Sequence, residues 1–489
     1  MAEKKSCWLS YDEEQLVELD EISNSYRTFL DQGKTERECA AYVVKSLKDH
    51  GFVDLDELIK QQERGEQVTC AVGAKVYRVW MDKTVVAFRI GERPLMEGMN
   101  ILGAHIDSPR LDMKQNPLYE DGESGITYMD THYYGGVKKY QWVTLPLAIH
   151  GVIVRKNQEV VHINVGEKET DPVFFISDLL IHLASEQLDK KGAKVIEGEA
   201  LDVIVGSRPI RIQPQTTANP ESEPNTDQET NKEAVKEAVK AGILELILKE
   251  YQIEESDFLS AELEVVPAGS AKEAGFDRSM ILAYGQDDRA CAFASVRAIL
   301  NAKNPKRTIC CILSDKEEVG SMGATGMQSM FFENTVAELL QLNGQYSDLG
   351  LRRCLSRCHM LSSDVSAAYD PTYASSFDKR NAAFMGRGLV FNKYTGARGK
   401  SGSNDANPEY MALIRKIMED NTVAFQTAEL GKVDAGGGGT IAYIMAKYGM
   451  NVIDSGVAVL NMHAPWEATS KADIYEAYRG YMAFALWSE

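Results

Sequence analysis

Short, nearly all-apolar runs of strand length recur along this chain with helical patterns between them, and no other feature narrows its fold as far. Residues 99–104 (MNILGA) and 308–313 (TICCIL) are the plainest cases; 84–90, 280–284, 358–363 and stretches near 452 and 457 read the same way. A strand that is apolar on both faces must be covered on both, as inside a sheet with helices above and below it. The patterns at 288–302, 408–419 and 438–448 have helical period. Thr35-Glu36-Arg37-Glu38 has the form of a capping box, after which Cys39, Val43 and Leu47 recur at helical spacing until Gly51. Strands alternating with helices predict an α/β fold with a mixed, largely parallel sheet sandwiched by helices.

That rhythm is interrupted. Residues 115–140 are rich in Gly, Asp and Tyr, and strand-like runs follow at 143–154 and 160–165. The stretch 205–232 is almost wholly polar and carries Pro214, Pro220 and Pro224, a composition too poor in apolar surface to order itself, so it reads as a mobile loop. A helical pattern covers 231–250. The chain therefore divides into one α/β domain, 1–113 plus 258–489, and an inserted, mostly β domain, 114–257. Two domains also suit a length of 489 residues.

The formal net charge of −19 disfavours a nucleic-acid partner, which would want clustered Lys and Arg. No apolar run reaches the length of a membrane span, and the N-terminus lacks a signal-peptide core, so a cytoplasmic protein with no membrane partner is expected. The eight cysteines are scattered and read as reduced, buried thiols. Cys354-x3-Cys358-His359 supplies only part of a zinc clip's ligands and falls under the same reading.

Five short motifs stand at or just beyond the C-terminal ends of predicted strands, where open α/β sheets place ligands. They are His105-Ile106-Asp107-Ser108, Gly285-Gln286-Asp287-Asp288, Asp315-Lys316-Glu317-Glu318, Ser362-Ser363-Asp364 and Met462-His463. Singly each has an ordinary explanation: a core histidine, a helix-start acid, a solvated loop. Together they bring two of the chain's eight histidines, two aspartates and a Glu-Glu pair to strand ends. Imidazole and carboxylate without thiolate suit a pair of zinc-like ions sharing an anionic ligand. Such ions polarise a carbonyl and bring a water to a pKa of about 7, and a neighbouring carboxylate that is not a ligand can act as general base. Asp107, two residues beyond His105 on an extended segment, can orient its imidazole.

With these motifs in this order, and with the insertion where it stands, the sequence resembles the aspartyl aminopeptidase and vacuolar aminopeptidase family of dizinc exopeptidases, its bacterial branch above all, over essentially the whole chain. The resemblance implies the zinc exopeptidase fold, with the inserted domain serving dimerisation. It assigns His105, Asp287, Glu318, Asp364 and His463 to two divalent ions per subunit, with Zn2+ foremost and Co2+ or Mn2+ tolerated. The bridging aspartate falls on Asp287, with Asp288 the adjacent alternative. Glu317 becomes the general base and Asp107 the partner of His105. Gly438 and Thr440, in Gly436–Thr440, match a glycine-rich helix entrance that approaches substrate. Family members assemble as tetrahedral dodecamers built from dimers, which implies a chamber for peptide substrates.

Several positions depart from the acid-specific pattern. Ala367 and Asp370 stand where that branch has histidines, Asp178 where the inserted domain offers a histidine to a neighbouring site, and Asn392, beside Lys393, where a lysine is expected. Each change removes positive charge or adds negative charge, so the expected substrates are peptides with neutral or basic N-terminal residues. A dizinc deacylase or carboxypeptidase, and an inactive oligomeric scaffold, are the alternative readings.

Overall fold

Along the central strands, successive side chains enter two different cores. Ile101, Cys310, Ile312, Met360 and Val452 pack on one face, while Leu102, Cys311, Leu313, Leu361 and Ile453 pack on the other. This is the two-residue period of a strand buried on both sides. The computed structural model describes residues 5–210, 237–396 and 399–488. Among these, one compact unit holds the residues up to Ser108 and from Ser270 onward, and a second comprises Pro109–Gly269.

The first unit is built on a nine-stranded sheet. Its spatial order is Val53–Asp54, Lys75–Trp80, Thr84–Arg89, Thr308–Ser314, Met99–His105, His359–Ser363, Asn451–Gly456, Leu389–Asn392 and Phe425–Ala428. The four strands from Thr308–Ser314 to Asn451–Gly456 run parallel, with antiparallel pairing at Thr84–Arg89 and at Leu389–Asn392. The expected mixed, largely parallel sheet is thus present, and the all-apolar Met99–His105 lies at its centre. Helices Glu13–Gln32, Glu36–Asp49, Gln286–Asn301, Pro408–Asp420 and Lys471–Leu486 contribute to the core on one face, and Phe331–Leu342 and Asp348–Ser356 to that on the other. The capping box forms: Glu38 N–H donates to Thr35 Oγ1 at 3.2 Å, and Thr35 N–H to Glu38 Oε2 at 3.1 Å.

A second sheet of five short strands was not foreseen. It runs Lys272–Ala274, Met280–Ala283, Glu467–Ser470, Ala458–Leu460, Ser366–Ala367. The strands expected at 280–284 and near 457 belong here rather than to the main sheet, because periodicity reports burial and not the pairing partner. The helix expected at 438–448 shrinks to Ala442–Ala446. Four consecutive glycines, each about 1 kcal/mol poorer than alanine in a helix, keep 436–439 out of it.

The inserted unit carries an antiparallel six-stranded sheet in the order Val160–Val165, Leu147–Val154, Ala261–Pro267, Arg110–Asp121, Ile126–Tyr134, Val203–Gly206. Leu111 and Asp112 pair with Val265 and Glu264. Both connecting segments therefore belong to this sheet, and the units divide after Ser108 and Gly269 rather than after 113 and 257. The mobile loop expected at 205–232 lies, from 211 on, outside the described residues; its start finishes the strand Val203–Gly206. Of the helix expected at 231–250, the described part is Ala238–Tyr251. Among the described residues, no helix is long and apolar enough to cross a membrane.

Candidate metal centre

The first unit gathers the motif residues at strand ends of its two sheets. His105 closes the central strand, Glu317 and Glu318 follow Thr308–Ser314, and Asp364 follows His359–Ser363. The small sheet supplies the rest: Asp287 follows Met280–Ala283, and His463 sits in the turn between Ala458–Leu460 and Glu467–Ser470. Gly285 makes the turn into Asp287 with φ +71°, and a Cβ there would lie 1.8 Å from Arg289 Nη1. Only glycine fits that combination of left-handed backbone and contact.

The two oxygens of Asp287 face different histidines. Oδ1 lies 3.3 Å from His105 Nε2 and Oδ2 3.2 Å from His463 Nε2. His463 Nε2 is also 3.7 Å from Glu318 Oε2, and His105 Nε2 is 4.0 Å from Glu317 Oε2. One ligand atom from each of His105, Asp287 and Glu318 falls within a 4.8 Å cluster, and so does one from each of His105, Glu317 and Asp364. Asp288 turns elsewhere, fully buried beside Cys291.

Behind these groups two carboxylates hold the backbone. Asp107 accepts from Glu317 N–H on Oδ1 (3.1 Å) and Glu318 N–H on Oδ2 (3.2 Å), and its Oδ1 lies 3.3 Å from His105 Nδ1. Glu467 accepts from Asp287 N–H (3.0 Å) and His463 N–H (2.7 Å). Ser108 Oγ donates to the Asp287 carbonyl at 2.7 Å. Nothing in the sequence singled out Glu467; the one available signal is an acid four residues beyond a strand-end histidine.

The electrostatics call for cations. Burial, reinforced by neighbouring acids, pushes Glu318, Asp364 and Asp288 well above the carboxylate range, and Glu317 to about 7. Burial acts on Asp287 in the same direction, but hydrogen bonds from both imidazoles outweigh it and hold its carboxyl low. For His105 burial disfavours the charged form, yet Asp107 and Asp287 prevail and raise its pKa. Glu318 Oε1 is buried without a hydrogen-bond partner. So many desolvated carboxylates with spare lone pairs are costly unless positive charge joins them, and the imidazole and carboxylate donors suit zinc.

The other residues singled out from the sequence have local tasks. Asn392 is buried against Ser366 Oγ, its amide donating at 3.1 Å. Lys393 pairs with Asp405. Asp370 caps the turn Pro371–Ser376 by accepting from Thr372 N–H at 2.8 Å. Gly438 N–H donates to the Thr395 carbonyl, and Thr440 Oγ1 donates to buried Asp454 at 2.6 Å. Asp178 lies exposed in the inserted unit, accepting from Gln187 Nε2 at 2.8 Å. Cys354 and Cys358 are free, buried thiols, and His359 rests against Tyr410 and Trp487.

Residues 29–485 match the model of the family described as aminopeptidase I zinc metalloprotease (M18). The chain belongs to the M18 family. This M18 aminopeptidase is 54% identical over 484 residues to the "Probable M18 family aminopeptidase 1" of Clostridium acetobutylicum, covering 99% of this chain and 98% of the relative. It superposes on the crystal structure of the M18 aminopeptidase from Thermotoga maritima with a TM-score of 0.88 at 41% identity, covering 99% of both chains. The S. cerevisiae mApe1 dodecamer is a more distant structural neighbour, with a TM-score of 0.72 at 19% identity over 95% of this chain and 96% of that one, a likeness of fold.

Proposed function

We propose that this zinc aminopeptidase removes the N-terminal residue from peptides at a two-ion centre, with Asp287 shared between the ions. The observation carrying this reading is the division of Asp287's oxygens between His105 and His463. His105 and Asp364 would complete one site, Glu318 and His463 the other. When bound, the ions supply Lewis acidity to the scissile carbonyl and to the attacking water. Glu317 takes a proton from that water on its carboxylate and passes it to the departing amine. Asp107 keeps Glu317 and Glu318 oriented through their backbone N–H groups.

Neutral or basic N-terminal residues are the preferred substrates. The support lies in charge: Ala367, Asp370, Asp178 and Asn392 carry none that is positive, and the Lys393 ammonium is engaged by Asp405. On the same proposal, the protein acts in the cytoplasm as a dodecamer assembled from dimers through the inserted unit. Eight free cysteines accord with a reducing compartment. Leu180, Ile181 and Leu183, exposed by 58%, 63% and 70%, offer an apolar surface of the kind oligomers cover, and likeness to the mApe1 dodecamer supports the same assembly.

Glu317→Gln tests the mechanism. Metal content should stay at two equivalents while kcat falls by about 10²–10⁴; undiminished activity would remove Glu317 from its role. A panel of aminoacyl p-nitroanilides tests specificity, and faster turnover of Asp or Glu than of Leu, Met or Lys would reverse it. N-acetylation of a good substrate should abolish turnover, since a deacylase would tolerate it.

A further inference from the structure

Glu467 belongs to none of the five motifs, yet both of its carboxylate oxygens end on residues of the metal centre. Oε2 accepts from Asp287 N–H at 3.0 Å and Oε1 from His463 N–H at 2.7 Å. The side chain is 1% exposed. These two peptide groups come from distant parts of the chain, one entering the helix Gln286–Asn301 and one in the turn before Glu467–Ser470. Sheet register explains how one side chain reaches both. Ala283 pairs with Glu467 across the small sheet, which sets its carboxylate beside the Gly285 turn.

The surroundings are locked. The Gln286 side-chain amide donates to the Glu467 carbonyl at 2.5 Å and to the Ile281 carbonyl at 3.1 Å, and Tyr26 Oη donates to Gln286 Oε1 at 3.2 Å. His463 has φ +66°. A left-handed backbone is strained for a non-glycine residue, so the turn needs an external restraint to hold the imidazole where it is. The hydrogen bond to Glu467 is such a restraint.

We infer that Glu467 is a positioning residue of the metal centre, fixing the backbones of Asp287 and His463 together so that Asp287's carboxylate stays divided between the two imidazoles. It does for that pair what Asp107 does for Glu317 and Glu318. Two buried carboxylates thereby tie four of the residues around the ions, each tying two. This rests on reading Asp287 and His463 as ligands.

Glu467→Gln keeps one accepting oxygen and turns an amide NH2 toward the other N–H. Glu467→Ala removes both acceptors. Asp473→Asn serves as the control, because Asp473 is an equally buried carboxylate that accepts from two backbone N–H groups, Gly386 and Gly388, neither of them at the metal centre. Zinc affinity and stoichiometry are measured by chelator competition on folded protein, with the melting temperature recorded for each variant. Loss of a ligand-orienting partner typically costs 10–100-fold in metal affinity. The expected result is that order of weakening for Glu467→Gln and more for Glu467→Ala, while Asp473→Asn melts earlier yet binds zinc within about twofold of wild type. Wild-type zinc affinity in folded Glu467→Gln, or equal weakening in Asp473→Asn, overturns the inference alone. A wild-type chain taking up fewer than two equivalents overturns the site reading and this inference with it. Should Glu467→Ala not fold, Glu467→Gln decides.

Discussion

Replacing Asp107 by asparagine isolates how much the centre depends on groups that touch neither metal nor substrate. The carboxylate divides its oxygens between Glu317 N–H at 3.1 Å and Glu318 N–H at 3.2 Å, with His105 Nδ1 at 3.3 Å. Asparagine has the same shape but one accepting oxygen. Its NH2 must face one of the two N–H groups, so one bond becomes a contact between donors. A hydrogen bond to a charged group contributes about 1.5–3 kcal/mol. At about 1.4 kcal/mol per factor of ten, its loss amounts to roughly 10- to 150-fold. Because the bond holds the proposed base and one proposed ligand, that loss should fall on kcat/KM for a leucine p-nitroanilide and on zinc affinity by chelator competition. A folded Asp107→Asn protein whose kcat/KM and zinc affinity both lie within about twofold of wild type would refute the reasoning.

Other expectations follow from the same features. A strong chelator should abolish activity and lower the melting temperature, and zinc at about 100 times its Kd should restore about 2.7 kcal/mol, read by thermal denaturation. Burial pushes Asp454 up to about 7, with hydrogen bonds from Thr440 and Ser362 opposing. Its folded pKa exceeds its unfolded one, so its contribution to stability is fully present below about 3.8 and is lost as pH rises through about 7. Denaturant titrations of Asp454→Asn should therefore show up to about 4 kcal/mol less decline between those limits; an unchanged slope would contradict this. Leu180→Asp with Ile181→Asp should reduce the sedimentation coefficient without changing the melting of the catalytic unit; an unaltered assembly would move the interface elsewhere.

The residues that the structure gathers into the candidate metal centre were legible because a charged group at the end of an all-apolar strand is conspicuous. His105 after MNILGA, Glu317 and Glu318 after TICCIL, and Asp364 after the run ending at Ser363 all announce themselves this way. The small sheet was not legible. Ser366–Ala367 and Lys272–Ala274 are too short to show a period, and their pairing is decided by residues far away in sequence. Glu467 escaped notice for the same reason, since its partners are backbone groups fixed by register with Met280–Ala283. Arg110–Asp121 and Ile126–Tyr134 were obscured because polar and charged residues are scattered along them. Asn392 and Asp370 looked like pocket residues in sequence, and their visible contacts are a serine and a turn.

The central position of Met99–His105 has a consequence for synthesis of the chain. Its neighbours on the two sides, Thr308–Ser314 and His359–Ser363, are made about 200 and about 250 residues later. At 5–20 residues per second, the ribosome takes roughly 10–40 s to supply the first of them. Throughout that time an apolar strand with two unsatisfied edges is outside the ribosome while the inserted unit emerges and can fold. His463 arrives later still, so the nascent chain cannot assemble the centre, and cannot cut peptides, until nearly all of it has been made. Shielding that one strand during the wait is where a chaperone would be needed.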